Sequence, residues 1–267
     1  MSAELVFLKL GGSLITNKGH AHAARMEVIR RLAGEIAEAR KIRAGIRLVL
    51  GHGSGSFGHM EAKKYGTAAG VRTAEEWAGF AAVWTAADAL NRLVMDALAA
   101  AGVKAVRTAP SSCAVLENGQ LKEMAAEPVR RALEAGLVPV VYGDAVFDRK
   151  RGGGIASTEM VFACLARSLR PRRILLAGTE RGVFQDFPAR QKLIPQIRAG
   201  EWEQSRSQVG GSAQIDVTGG MFTKVQDMLA VVSQQKDITV FIFSGEIEGN
   251  VKRALLEEDV EGTRLTA

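Results

Sequence analysis

Three lysines stand beside glycine-rich turns in this chain, a pairing of residue types suited to holding phosphate. Lys9-Leu10-Gly11-Gly12-Ser13 follows an apolar run, with Lys18 a few positions on. Paired glycines let backbone amides approach an anion closely, and Lys9 and Lys18 add point charges beside it. The second loop, Gly51-His52-Gly53-Ser54-Gly55-Ser56-Phe57-Gly58-His59, is too rich in glycine for an ordinary turn, and His59 at its end is a candidate anion contact. In the third, Asp216-Val217-Thr218-Gly219-Gly220-Met221-Phe222-Thr223-Lys224, an amphipathic segment begins, so free amides and the positive helix end would face a ligand with Lys224 one turn in. Each loop alone reads as a turn or a capped helix. Together they point to phosphoryl transfer, which needs positioned positive charge more than covalent chemistry.

The second loop also holds Gly53-x-Gly55-x-x-Gly58, the dinucleotide fingerprint, with Glu75 or Glu76 spaced to meet a ribose. A nicotinamide-dependent oxidoreductase and a non-catalytic nucleotide-binding protein therefore stay open as other classes. Against the oxidoreductase, the fingerprint normally serves the first strand of its unit, yet here a lysine-bearing glycine loop already follows the strand before.

Short apolar runs predict buried strands at 4–10, 46–50, 103–107, 137–142, 173–177 and 238–243. Helical periodicity covers 24–41, 75–101, 127–135, 157–169, 221–235 and 249–257, and Glu117-Asn118-Gly119-Gln120 reads as a hairpin turn. This alternation predicts an α/β fold with a mainly parallel sheet covered by helices on both faces, in a single domain over 1–267. Within helix 75–101, Trp77, Phe80, Ala81 and Trp84 share one face, as a core stripe or as the apolar slot of a substrate would.

The net charge of +6 is dispersed, with local runs only at Arg149-Lys150-Arg151 and Arg170-Pro171-Arg172-Arg173 and few aromatics. Nucleic-acid binding is not indicated, whereas anionic small substrates are favoured. With no uninterrupted apolar run of about 18 residues and no signal-like start, a soluble cytoplasmic protein without membrane contact is expected. Cys113 and Cys164 lie far apart in apolar runs, so neither a metal site nor a disulfide is implied.

KLGGS after the first strand, a glycine loop after the second and DVTGGM-x-x-K before a late helix resemble, in that order, the amino acid kinase family over nearly the whole chain. Within it, Gly55-Ser56-Phe57-Gly58-His59 with Val138-Pro139-Val140-Val141-Tyr142-Gly143-Asp144 looks like the isopentenyl phosphate kinases, and the fosfomycin-resistance kinases are similar competitors. The resemblance implies a three-layer αβα sandwich, usually a homodimer, that uses ATP and Mg²⁺, with an N-terminal acceptor part and a C-terminal nucleotide part. It implies Lys9, Gly11, Gly12, Ser13, Gly55, Thr179, Gly220 and Lys224 for the nucleotide, and Ser54, Gly58, His59, Asp144 and Thr158 for the acceptor, isopentenyl phosphate. Lys9, Lys18, Lys224 and His59 would be catalytic, with no metal held by protein side chains alone. The chain departs from the family at Ala156-Ser157-Thr158-Glu159, where Ser-Gly-Asp is usual; Asp144 and Glu159 are then the acidic residues that could orient the lysines. It departs again at Gly178-Thr179-Glu180-Arg181-Gly182, where Thr-Asp-x-Asp-Gly is usual. A phosphate monoester acceptor, whose second pKa is about 6, is already largely dianionic at neutral pH and needs no general base.

Overall fold

The computed structural model describes residues 4–17, 19–186, 189–202 and 219–267. Lys18 and the Asp216-Val217-Thr218 part of the third loop lie outside the described residues. In chain order the first half runs β1 (Leu5–Leu10), α1 (Gly12–Ile15), α2 (Met26–Ile42), β2 (Arg47–His52), α3 (Gly55–Tyr65), α4 (Ala74–Ala100), β3 (Ala105–Arg107), α5 (Pro110–Cys113), β4 (Ala114–Glu117), β5 (Gln120–Met124) and α6 (Glu127–Glu134). It continues with β6 (Val138–Tyr142), β7 (Asp144–Asp148), β8 (Gly152–Ala156), α7 (Thr158–Leu169), β9 (Arg173–Gly178), β10 (Gln196–Arg198), α8 (Gly219–Gln234), β11 (Thr239–Ser244), α9 (Asn250–Leu256) and β12 (Gly262–Thr266).

The main sheet has eight strands in the order β10-β12-β11-β9-β1-β2-β6-β3. Every pairing in it is parallel except β11 with β12. The period of two in each strand splits its side chains between two cores. From β1, Leu5 and Phe7 pack with Leu133 of α6, Phe162 of α7 and Val232 of α8. Val6, Leu8 and Leu10 turn the other way, onto Leu32 of α2, Leu90 of α4 and Leu255 of α9. Helices on both faces of one sheet make the three-layer αβα sandwich expected from the alternating pattern.

All six expected strands and six expected helices are present, with ends displaced by a residue or two. The expected turn joins β4 to β5 in antiparallel pairing, and Asn118 and Gly119 have φ of 53° and 78°, the left-handed pair a two-residue hairpin turn requires. β7 and β8, also an antiparallel pair, were not foreseen, because Gly152-Gly153-Gly154 hides the second strand. Gly153 is there for space: a Cβ on it would lie 2.8 Å from the Phe80 ring. Helix α3 was likewise hidden by Gly55 and Gly58. Among the described residues, no helix is long and apolar enough to cross a membrane. Cys113 and Cys164 are free thiols, each partly exposed.

Candidate active site

β1 and β2 run parallel with Lys9 opposite Gly51 and Leu10 opposite His52, so the loops that follow emerge side by side at one sheet edge. The Gly11 amide donates to the Ala177 carbonyl at the end of β9 (2.8 Å), and the Gly53 amide to that of Leu10 (3.0 Å). Thr16 clasps the two loops: its Oγ1 donates to the Gly12 carbonyl (2.8 Å) and accepts from the Ser56 amide (3.0 Å). A cavity of about 550 Å³ opens over these loop ends.

Lys9, Gly11, Gly12, Ser13, Ser54, His59, Thr158, Thr179 and Lys224 all line this one cavity. Residues from five separate stretches of chain thus meet, as strand ends along one sheet edge allow. Gly55, Gly58 and Asp144 are not among its lining residues. Gly55 is buried with φ +50°, and Gly58 sits against Ser54, where a Cβ would come within 2.6 Å of the Ser54 hydroxyl. The Asp144 carboxylate accepts from the amides of Ser111 (3.0 Å) and Ala145 (2.9 Å). Burial outweighs those bonds and pushes its pKa up to about 6. Gly220 lies in the first turn of α8, one residue before Met221, which lines the cavity.

Glu159, one of the two acidic residues the sequence offered for orienting the lysines, carries the main electrostatic feature. Its Oε1 accepts a hydrogen bond from Lys9 Nζ, and both side chains are about nine-tenths buried. Burial opposes ionisation of Glu159, but the ammonium charges of Lys9 and Lys224 and the Lys9 hydrogen bond overcome it, holding the carboxyl below its ordinary value. Asp227, one turn beyond Lys224, also lines the cavity, and its pKa is raised by burial and by the charge of Glu159.

The first turn of α7 that carries Glu159 is pinned. Ser157 caps it by accepting from the Met160 amide (3.1 Å), and Thr158 Oγ1 donates to the His52 carbonyl (2.7 Å). Gly51 permits the approach, since a Cβ there would lie 2.6 Å from Thr158 Cγ2 and 2.7 Å from Phe162. His52 is fully buried and stacked on Tyr142 at 5.4 Å, with Nδ1 3.1 Å from the Gly53 carbonyl and Nε2 3.0 Å from Asn91 Nδ2. Burial pushes its pKa down to about 4, so the ring is neutral and structural. His59 differs: it is exposed at the cavity, and its Nδ1 lies 2.9 Å from the Gly55 carbonyl. Nδ1 therefore carries a proton, which leaves Nε2 for a ligand.

Neither Glu75 nor Glu76, the residues spaced to meet a ribose in the dinucleotide reading, lines the cavity. Glu76 accepts from the amides of Arg72 (2.6 Å) and Thr73 (2.8 Å) in a capping box that starts α4, because N-terminal amides of a helix compete for any nearby carboxylate. The aromatic face of α4 divides. Phe80 is buried with Val71, Val83 and Ala145, and Ile155 packs against this cluster while also lining the cavity. Trp77 contacts Phe80 and the exposed Phe147, whereas Trp84 donates from Nε1 to Ser111 Oγ (3.0 Å) and Ala81 faces solvent. At the opposite end, Thr179 and Glu180 line the cavity, with Glu180 paired to Arg190 (2.9 Å).

The chain is 34% identical to an isopentenyl phosphate kinase of Methanothermobacter thermautotrophicus, over 98% of this chain and 99% of that one. It is 33% identical to an isopentenyl phosphate kinase of Methanocaldococcus jannaschii, over 98% of both. Its fold superimposes with a TM-score of 0.84 on a solved isopentenyl phosphate kinase at 31% identity, covering 98% of this chain and 100% of that one. The family model described as the amino acid kinase family matches residues 4–244. With that match spanning nearly the whole sandwich and its cavity, the chain belongs to the amino acid kinase family.

Proposed function

We propose that this protein transfers the γ-phosphoryl group of MgATP to isopentenyl phosphate, giving isopentenyl diphosphate. The observation that carries the reading is one cavity bordered by Lys9 and Lys224, with His59 in its lining and Ile155 connecting it to the apolar cluster around Phe80. An acceptor with a phosphate head and a short hydrocarbon tail matches that order of groups: head toward Ser54 and His59, tail past Ile155. Named isopentenyl phosphate kinases aligned over nearly the full chain support the same choice.

In this reading, Gly11, Gly12 and Ser13 hold the transferring phosphates through backbone amides, Lys9 and Lys224 offset the charge that develops between two anions, and Lys18 joins them. Gly55 and Gly58 serve by letting the second loop pack tightly, and Gly220 by opening helix α8 toward the phosphates. Thr158 and Asp144 act from behind the acceptor side by fixing the strand ends. Thr179 stands on the nucleotide side, so the N-terminal part of a single domain takes the acceptor and the C-terminal part the nucleotide. Magnesium belongs to the MgATP substrate: hydroxyls, ammonium groups and loop backbone are the donors that suit phosphate oxygens, while Glu159 is engaged with Lys9. A homodimer in the cytoplasm completes the reading.

The test is ADP release with isopentenyl phosphate, fosfomycin and amino acid acceptors, each with MgATP, with ³¹P NMR of the product. The expected result is a diphosphate signal and turnover with isopentenyl phosphate well above the other acceptors. Release no faster than the acceptor-free background would overturn the assignment.

A further inference from the structure

We infer that the buried imidazole of His52, fixed in one tautomer by Asn91, is a positioning residue that draws the Gly53 carbonyl inward and thereby turns the Ser54 amide toward the cavity as a donor to an anion. The identity of that anion, the phosphate head of the acceptor, rests on the proposed kinase reading; the geometry does not. His52 ends β2 and Asn91 lies in α4, and both are fully buried. His52 Nδ1 is 3.1 Å from the Gly53 carbonyl, which can only accept, so Nδ1 carries the proton. The ring is neutral, so Nε2 is bare and accepts from Asn91 Nδ2 at 3.0 Å. Stacked on Tyr142 as well, the ring cannot turn over without breaking two buried hydrogen bonds.

The Gly53 carbonyl and the Ser54 amide belong to one planar trans peptide unit, in which C=O and N–H point in opposite directions. With the carbonyl drawn to a ring in the core, the amide is sent outward, and Gly53 and Ser54 both line the cavity. The Ser54 nitrogen lies 3.6 Å from the place a Cβ would take on Gly143, another lining residue, and its N–H has no acceptor among the described residues. Glycine at position 53 would otherwise leave this unit easy to reverse, since no Cβ restricts it. Reversed, it would aim the negative end of a carbonyl dipole at the bound anion. The preceding unit is fixed too: the His52 carbonyl accepts from the Thr158 hydroxyl (2.7 Å) and the Gly143 amide (3.0 Å). Anchors from α7, from the end of β6 and from α4 therefore set the two successive peptides that open the second loop.

Two variants separate positioning from packing. His52→Phe keeps a ring to stack on Tyr142 but removes the donor to Gly53. The KM for isopentenyl phosphate should rise by about tenfold or more, the usual worth of one hydrogen bond to a charged group, while the KM for MgATP stays within about threefold of wild type. His52→Asn puts a donor back at the place of Nδ1 and should bring the acceptor KM at least about threefold back toward wild type. A fall in Tm with both KM values unchanged overturns the inference, as does an equal rise for both substrates.

Two further measurements use the wild-type protein alone, so they decide the matter even where the variants do not fold. In ¹H–¹⁵N spectra of the histidine rings at neutral pH, His52 should show a protonated Nδ1 and a bare Nε2; a proton on Nε2 overturns the inference. In a titration with inorganic phosphate, the Ser54 amide proton should move downfield to saturation, and an unmoved Ser54 signal overturns it as well. If Ser54 responds to phosphate but isopentenyl phosphate is not phosphorylated, the functional reading falls while the role of His52 stands.

Discussion

Gly12 and Gly55 meet backbone to backbone: a Cβ on Gly12 would lie 2.5 Å from the Gly55 nitrogen, closer than any side chain allows. The two glycine loops are therefore one interlocked unit rather than two independent turns, and each exists in this form because the other has no side chain. Gly55 adds a second requirement, because its φ of +50° disfavours any residue with a Cβ.

Gly12→Ala should force the loops apart and cost about 1–3 kcal/mol of stability, the usual penalty of overpacking. Because the phosphate-facing amides move with the loop, turnover should fall by more than about tenfold even at temperatures where the variant is folded. Thermal unfolding and kcat/KM on the same preparation check both. A variant with wild-type turnover would show that the contact has no part in shaping the site.

Lys224→Ala and Lys18→Ala should each cut kcat by on the order of a hundredfold with folding intact. Circular dichroism and steady-state kinetics make the comparison. Unchanged kcat in both would remove the electrostatic account of catalysis.

Ile155→Trp should fill the cavity at the wall where Ile155 packs against the Phe80 cluster. The KM for isopentenyl phosphate is expected to rise by about tenfold or more, while that for MgATP changes little. Equal effects on both substrates would place the tail elsewhere.

Stability should respond to pH through two buried groups of opposite sign. His52 has its pKa lowered from 6.5 to about 4, so below pH 6.5 the unfolded chain binds the proton first and stability falls as pH falls toward 4. Asp144 has its pKa raised from 3.8 to about 6, so below pH 6 the folded chain binds the proton first and stability rises as pH falls toward 3.8. Between pH 6 and 5 the two slopes, each on the order of 1 kcal/mol per pH unit, oppose one another. Asp144→Asn removes one of them, so that variant should lose on the order of 1 kcal/mol over that interval, a steeper fall than wild type shows. Urea unfolding at the two pH values gives the answer, and a flat variant would show that His52 does not titrate as its burial requires.

Much of this molecule is legible in one dimension. The buried strands announce themselves because β1, β2, β6, β9 and β11 have helices on both sides and so must be apolar throughout, while α2 and α4 declare themselves by their period. The β7–β8 hairpin was not legible, since Gly152, Gly153 and Gly154 make room for Val71, Phe80 and Leu116, partners that no local pattern names.

The same division runs through the site. Lys9, Gly11, Gly12 and His59 could be marked from sequence because a glycine loop directly after a buried strand must emerge at the sheet edge, and those residues line the cavity. Sequence alone left Asp144 and Glu159 as equal candidates for the carboxylate beside the lysines. Only packing separated them: Asp144 is taken up by the amides of Ser111 and Ala145, while Glu159 faces Lys9. Chain order tells which residues sit at the ends of strands, since that depends on local periodicity. Which charge meets which depends on how helix α7 seats against Gly51 of β2, a contact between distant segments that exists only in the folded state.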